Sequence, residues 1–198
     1  MKIGRDKIVA EALLLLNEIG LDRLTTRALA VRLGVAQPAL YWHFKNRRDL
    51  LDAMNDAMMA KFIDLPPPPA DTPWQDYLFA MGQRFRQGLL AYRDGARVHA
   101  GTPGNPQLLE TSLTVLTRAG LTLDMALQLN VAIGSYTVGW VLEEQAEPRP
   151  PAAFKGAPPQ GLAAEAVARF LQHDETTRFE TGLRFLIDGA AASLKVAS

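Results

Sequence analysis

The sequence contains no cysteine. That removes a disulfide framework, a thiolate metal site and a cysteine nucleophile together, and it fits a reducing compartment. Histidine is nearly as scarce, at three residues. No His-x-x-x-His pair, nucleophile elbow, phosphate loop or convergent pair of carboxylates on one helix face is present. Hydrolytic or metal-centred catalysis is therefore not expected, and the chain reads as a non-enzyme. Long apolar runs are missing near the start. The longest there is Ala12–Leu16, far short of the ~18 residues of a membrane span. Met1-Lys2 is not followed by an apolar core and a small-residue cleavage site. No membrane partner is expected, and the cytoplasm is the default location. Alternating Val/Ile/Thr runs bounded by hairpin dipeptides are also absent, so strands are not expected.

Net charge is missing as well, with 21 basic and 21 acidic residues, but the balance conceals an asymmetry. Residues 1–50 hold nine basic and five acidic side chains, a surplus of +4, and the other 148 residues carry −4. A basic end joined to an acidic remainder points to a polyanion-facing end, with a solvated basic face as the alternative. A length of 198 residues allows one to two domains at ~150 residues each.

The apolar residues have helical spacing throughout. Ile8, Ala12, Leu15, Leu16 and Ile19 form one face of a first helix, ended by Gly20. Thr25 and Thr26 offer hydroxyl caps to a second, ended by Gly34. A third begins near Ala36-Gln37 with Pro38 in its first turn. A fourth runs from Arg47 to about Asp64, and Pro66–Pro69 stops it. Further helices are expected over 74–92, 96–100, 105–119, 122–144 and 175–197. The stretch 147–161, rich in Pro, Gly and Ala, reads as a loop or linker, with His173 exposed beyond it. The expected class is all-α: a helix-turn-helix unit over 1–46, a connecting helix over 47–64, and a second helical domain over 65–198.

Ala30, Gly34 and Leu40 have the spacing of a helix-turn-helix. A small residue lets two helices approach, glycine turns between them, and leucine plugs the second helix into the first. The aromatic run Tyr41-Trp42-His43-Phe44 and the basic run Lys45-Asn46-Arg47-Arg48 follow directly.

These residues carry a resemblance. The run TTRALAVRLGVAQPALYWHFKNRRDLLDAM (25–54) resembles the DNA-binding segment of the TetR family of bacterial transcriptional repressors. WQDYL (74–78), RDGARVHAGTP (93–103) and VGWVLEEQ (138–145) resemble the effector-binding domain of its tetracycline-repressor subgroup. The likeness covers most of 3–145 and the final helix.

The resemblance assigns roles at the DNA end. Gln37 can pair bidentately with adenine, and Arg27 can reach guanine. Pro38 and Ala39 offer apolar surface to a thymine methyl. Tyr41, Trp42 and His43 present donors to phosphates, and Thr26 and Arg47 match phosphate-contact positions. For Tyr41 and Trp42 the alternative is packing between the two domains.

At the effector end, His99 and Glu143 match positions that in the subgroup help bind a magnesium–drug complex, the Glu coming from the other subunit. Phe85, Thr102, Pro103 and Ser135 also fall at pocket positions. Ile63 and Met81 stand where the subgroup has a His and an Asn, Ser112 stands where it has a Gln, and no Arg separates Thr102 from Pro103. With Leu116, Val115, Met125, Leu129 and Ile133 nearby, a small, largely hydrophobic effector is expected; a tetracycline-like magnesium chelate stays open. No cofactor is required, and magnesium enters only as part of a chelated effector. The alternatives are a dry core for the Met and Leu residues and a hydrogen-bonded core histidine for His99.

The two long helices have wide apolar faces, with Gly134, Gly139, Gly182, Gly189 and Ala190–Ala192 permitting close approach. A homodimer built on a four-helix interface is expected, with an internal core as the alternative. The partners expected are then a double-stranded DNA operator, a small-molecule effector and a second copy. The competing function is a helical small-molecule-binding protein without a DNA role.

Overall fold

The computed structural model describes residues 3–63, 66, 68–146 and 158–197, and the side chains of 61, 63 and 195–197 lie outside the described set. Nine α-helices and one 3-10 helix fill these residues, and no strand is found among them. They are α1 (Arg5–Ile19), α2 (Thr26–Leu33), the 3-10 helix Gln37–Trp42, α3 (Arg47–Ile63), α4 (Trp74–Leu90), α5 (Gly95–His99), α6 (Pro106–Arg118), α7 (Leu123–Glu144), α8 (Leu162–Leu171) and α9 (Glu175–Ala197).

Local chemistry sets these boundaries. The Thr25 hydroxyl accepts from the Ala28 N–H at 3.0 Å and starts α2. Gly34 ends it in the left-handed conformation at φ 65°, which glycine adopts without steric cost. The Val35 N–H then closes back onto the Ala30 carbonyl at 3.1 Å. Asn105 and Thr122 cap α6 and α7 in the same way as Thr25 caps α2.

Two departures from the sequence expectation stand out. The third helix is a 3-10 helix, closed by bonds such as Ala39 N–H to Ala36 O and His43 N–H to Leu40 O. Tight i+3 bonding suits six residues better than an α-helical ladder does. Second, α8 occupies Leu162–Leu171, between the linker expected over 147–161 and the helix expected from 175, where the sequence suggested no element. It has apolar residues on one side, yet none is buried: Leu162 is 85% and Phe170 50% exposed. The linker expected over 147–161 lies outside the described residues as far as 157; 158–160 have no regular structure.

Two apolar cores hold the chain. The first gathers Ile8, Ala12, Leu16, Leu29, Ala30, Leu40, Phe44 and Leu50 from the N-terminal helices, and continues through Met54, Met58 and Met59 of α3 to Leu89, Ala96, Val98 and Val141. It crosses both boundaries expected at 46/47 and 64/65, so the connecting helix is packed on each side. The second gathers Trp74, Tyr77, Leu78, Leu116, Leu121, Ala126, Leu129, Ile133, Phe179, Leu183 and Ile187. By length and composition α7 is apolar enough to cross a membrane. Here it packs against α4, α5, α6 and α9. Leu123, Leu127 and Val131 of α7 and Phe185 of α9 remain exposed.

Candidate DNA interface and effector pocket

Leu40 is buried with Leu29 and Ala30 in the first core, so it plugs the 3-10 helix into α2 while Pro38, Tyr41 and Trp42 stay exposed. Trp42 is 89% exposed and Tyr41 50%. Packing between domains does not hold for Trp42 among the described residues, none of which covers it. Arg27, Pro38 and Arg47 are exposed, while Thr26, Gln37, Ala39 and His43 are half-buried. The Gln37 amide donates to the Thr26 hydroxyl at 2.9 Å, which ties two of the sequence candidates together and fixes the direction of the amide. Arg47 donates to the Leu21 carbonyl at 3.1 Å. Arg5 donates to the His43 carbonyl at 2.9 Å and lies over the Phe44 ring.

A groove opens beside this surface, lined by Asp22, Leu24, Thr25, Thr26, Tyr41, Lys45, Asn46 and Arg47. Asn46 caps the Asp49 N–H at 2.9 Å, and the Asp49 carboxylate accepts from the Lys45 N–H at 3.0 Å. This reciprocal cap starts α3. Two cations and three hydroxyls around one concavity form a donor set for phosphate oxygens, and the one carboxylate there, Asp22, is paired with Arg97. The sequence reading omitted Lys45 and Asn46, though the basic run contained them.

The effector candidates fall into separate places. His99, at the end of α5, brings its Nδ1 within 2.8 Å of Asn55 Oδ1. Phe85 meets the ring edge-on, with centroids 4.9 Å apart. Thr102 donates to the His99 carbonyl through its hydroxyl at 2.7 Å and its N–H at 2.9 Å. Burial pushes the His99 imidazole below its ordinary value because charging it would cost hydration. Pro103 is exposed and Met81 half-buried. The Ile63 side chain lies outside the described residues.

Leu116 is fully buried, with Leu129 and Ile133 beside it in the second core. All three belong to the packed second core, on the face that α6 turns onto α7. Ser112 is buried too and donates to Asn130 Oδ1 at 2.7 Å, while the Asn130 amide donates to the Ala126 carbonyl. Burial raises the Tyr77 hydroxyl, with Ser112 as its polar neighbour.

Ser135 and Glu143 are exposed and line a different groove with Tyr136, Trp140, Phe170 and Arg178. Within one chain, then, His99 and Glu143 are not brought together, and no three His, Asp or Glu side chains converge among the described residues. Behind this groove Arg86 forks onto Glu144, with Nε to Oε2 at 3.0 Å and an Nη to Oε1 at 2.6 Å. Burial pushes the Tyr136 hydroxyl up to about 12.

A polar seam connects the two ends. Asp94 accepts from the Leu21 N–H, and Arg97 bridges Asp94 and Asp22. The Gln145 amide donates to the Leu89 and Tyr92 carbonyls, and its oxygen accepts from the Ala96 N–H. Beside it, a Cβ on Gly95 would sit 2.0 Å from the Leu89 carbonyl oxygen.

Known proteins share this layout. Residues 8–54 match the family described as bacterial regulatory proteins, tetR family, and 65–194 match the tetracyclin repressor-like C-terminal domain. The tetracycline repressor protein class A from transposon 1721 of Escherichia coli is 45% identical over 96% of this chain and 91% of its own length. The structure of TetR from Acinetobacter baumannii AYE superposes with a TM-score of 0.81 at 39% identity, covering 98% of this chain and 99% of that one. TetR class A in complex with 5a,6-anhydrotetracycline and magnesium gives 0.73 at 39% identity, covering 94% and 97%.

Proposed function

The chain belongs to the tetR family of bacterial regulatory proteins, and we propose that it is a homodimeric transcriptional repressor released from a palindromic operator by a small, largely hydrophobic effector. The observation that carries the DNA half is the outward face of the 3-10 helix. Trp42 and Tyr41 are exposed, as are Arg27 and Arg47, while Leu40 and the Gln37–Thr26 hydrogen bond anchor the element. Phosphate contacts from Thr26, Tyr41, Trp42, His43 and Arg47 set the register. Arg27, Gln37, Pro38 and Ala39 read bases. Two copies place two such elements about 34 Å apart, one helical turn of DNA. The exposed apolar residues of α7 and α9 supply the surface on which copies pair.

The effector half centres on His99, Phe85, Thr102 and Met81, with Pro103 at the rim and Ser112 behind; Ile63 is a further candidate by sequence position alone. A tetracycline-like magnesium chelate is the leading candidate, since close relatives are named for tetracycline. Magnesium prefers oxygen ligands and keeps its waters, so it would arrive already chelated. His99 offers one nitrogen, and Ser135 and Glu143 would come from the second copy. Effector binding shifts 93–103, and the seam through Asp94 and Arg97 passes that shift to the α1–α2 turn. The divisions 1–46, 47–64 and 65–198 are kept as functional units, and no catalytic step, resident cofactor or membrane is part of this reading.

Selection from a random duplex library tests the DNA half. It should return a palindrome with half-sites one turn apart; recovery of no sequence would favour a helical small-molecule binder without DNA. Melting with magnesium, with and without tetracycline, tests the effector half, since a ligand of the folded state raises the midpoint by mass action.

A further inference from the structure

The connecting helix is apolar toward the core except at one place. Asn55 is 5% exposed, beside the fully buried Met54 and close to Met58 and Met59. Its Oδ1 lies 2.8 Å from Nδ1 of His99, a residue 44 positions later. A carboxamide oxygen carries no proton, so the Nδ1 of His99 must donate. An imidazole protonated at Nδ1 leaves a bare lone pair on Nε2, and that nitrogen makes no hydrogen bond to any described residue. Phe85 bears on the ring, and Thr102 holds the His99 carbonyl. The ring is therefore set at one nitrogen, one edge and the main chain.

We propose that Asn55 is a positioning residue of the effector pocket: it holds His99 in the Nδ1–H tautomer and so presents the Nε2 lone pair to an electron-poor atom of the effector, a hydroxyl proton or a chelated cation. A partner on the far nitrogen of a ligating histidine fixes both tautomer and ring direction. The carboxamide does this without adding a buried charge. Because Asn55 stands on the helix that begins at Arg47, the same hydrogen bond joins the ring to the DNA-facing unit. The tautomer half of this inference stands on geometry alone; the presentation half rests on the effector reading above.

Long-range proton–nitrogen spectra of the 15N-labelled full chain decide the first half. His99 should show a protonated Nδ1 and a bare Nε2. Asn55→Asp, which keeps the acceptor, should retain the proton on Nδ1. Asn55→Leu should shift His99 to the Nε2–H or averaged pattern while His43 and His173 stay unchanged. A wild-type His99 protonated on Nε2 would overturn the proposal, since the amide would then be donating to Nδ1. An unchanged signature in Asn55→Leu would overturn it too. If the leucine variant does not fold, the wild-type and aspartate spectra still decide.

Titration with tetracycline and magnesium reads the second half. Asn55→Leu should weaken binding roughly 10- to 100-fold, the usual cost of losing such a partner, and equal affinity would overturn the presentation role. A wild type that binds no tetracycline would instead overturn the tetracycline-like effector reading and leave the spectroscopic result standing.

Discussion

Asp94 accepts a hydrogen bond from the backbone N–H of Leu21 at 2.8 Å. A carboxylate at the head of α5 thus closes the turn that follows α1, 73 residues earlier. Asp94 is the one described residue other than glycine with positive φ, at 56°, a conformation that Asp and Asn tolerate better than other side chains.

Asp94→Ala should therefore cost stability twice. It leaves the buried Leu21 N–H without a partner, about 1–3 kcal/mol, and forces alanine into the left-handed region, a further ~1–2 kcal/mol. Asn in the same place keeps an acceptor and the backbone tolerance, and should lose less. Thermal melts of the two variants, with amide exchange at Leu21, check the difference; equal losses would mean the hydrogen bond contributes little.

Trp42→Ala should leave the melting temperature nearly unchanged, because an exposed side chain away from packing shifts stability by under about 0.5 kcal/mol. Operator affinity should fall. Arg47→Ala should lower the slope of log affinity against log salt by about one. Operator binding indifferent to both changes would remove this face as the DNA surface.

The stability of the protein should depend on pH through His99. Burial lowers its folded value below the ordinary 6.5, so the unfolded chain binds the proton more readily. Stability is then fully present above about pH 6.5 and declines as pH falls below it, levelling off under the folded value. Melting temperatures from pH 7.5 to 5 should decline less in His99→Gln; an identical decline would assign the effect elsewhere.

Leu116→Ala separates core from pocket wall. A fully buried leucine in packed interior should cost about 2–5 kcal/mol, read as a lower urea midpoint. A small loss combined with altered effector affinity would return Leu116 to the wall.

Phe185→Glu tests the pairing surface. This side chain is 72% exposed on α9, so a folded single chain should tolerate the charge. Sedimentation should then show monomer, and operator binding should collapse with the loss of the second half-site. A dimer that persists would move the interface off this face.

The sequence made some of these features readable and hid others, for physical reasons. Thr25 and Gly34 act within a few residues of themselves, through a cap and a left-handed turn, and Leu40 plugs onto the helix just before it, so spacing together with the basic and aromatic context revealed them. The 3-10 geometry escaped because Pro38 starts either kind of helix equally well. α8 escaped because it follows a Pro-rich stretch and buries nothing of its own chain. The division of apolar residues between wall and core was not legible at all. Leu116 and Met81 have the same chemistry, and only packing decides that one is sealed and the other half open. Asn55 gave no signal, since its partner lies 44 residues away.

Gly95 has a consequence for descent. A Cβ there would meet a backbone oxygen at 2.0 Å, and backbone cannot swing aside as a side-chain tip can. Lineages derived from this chain can exchange the residues around His99 one at a time and acquire new chemical signals. The first position of α5 has no such latitude: its side chain is fixed at a single hydrogen atom, whatever ligand the neighbouring residues come to prefer.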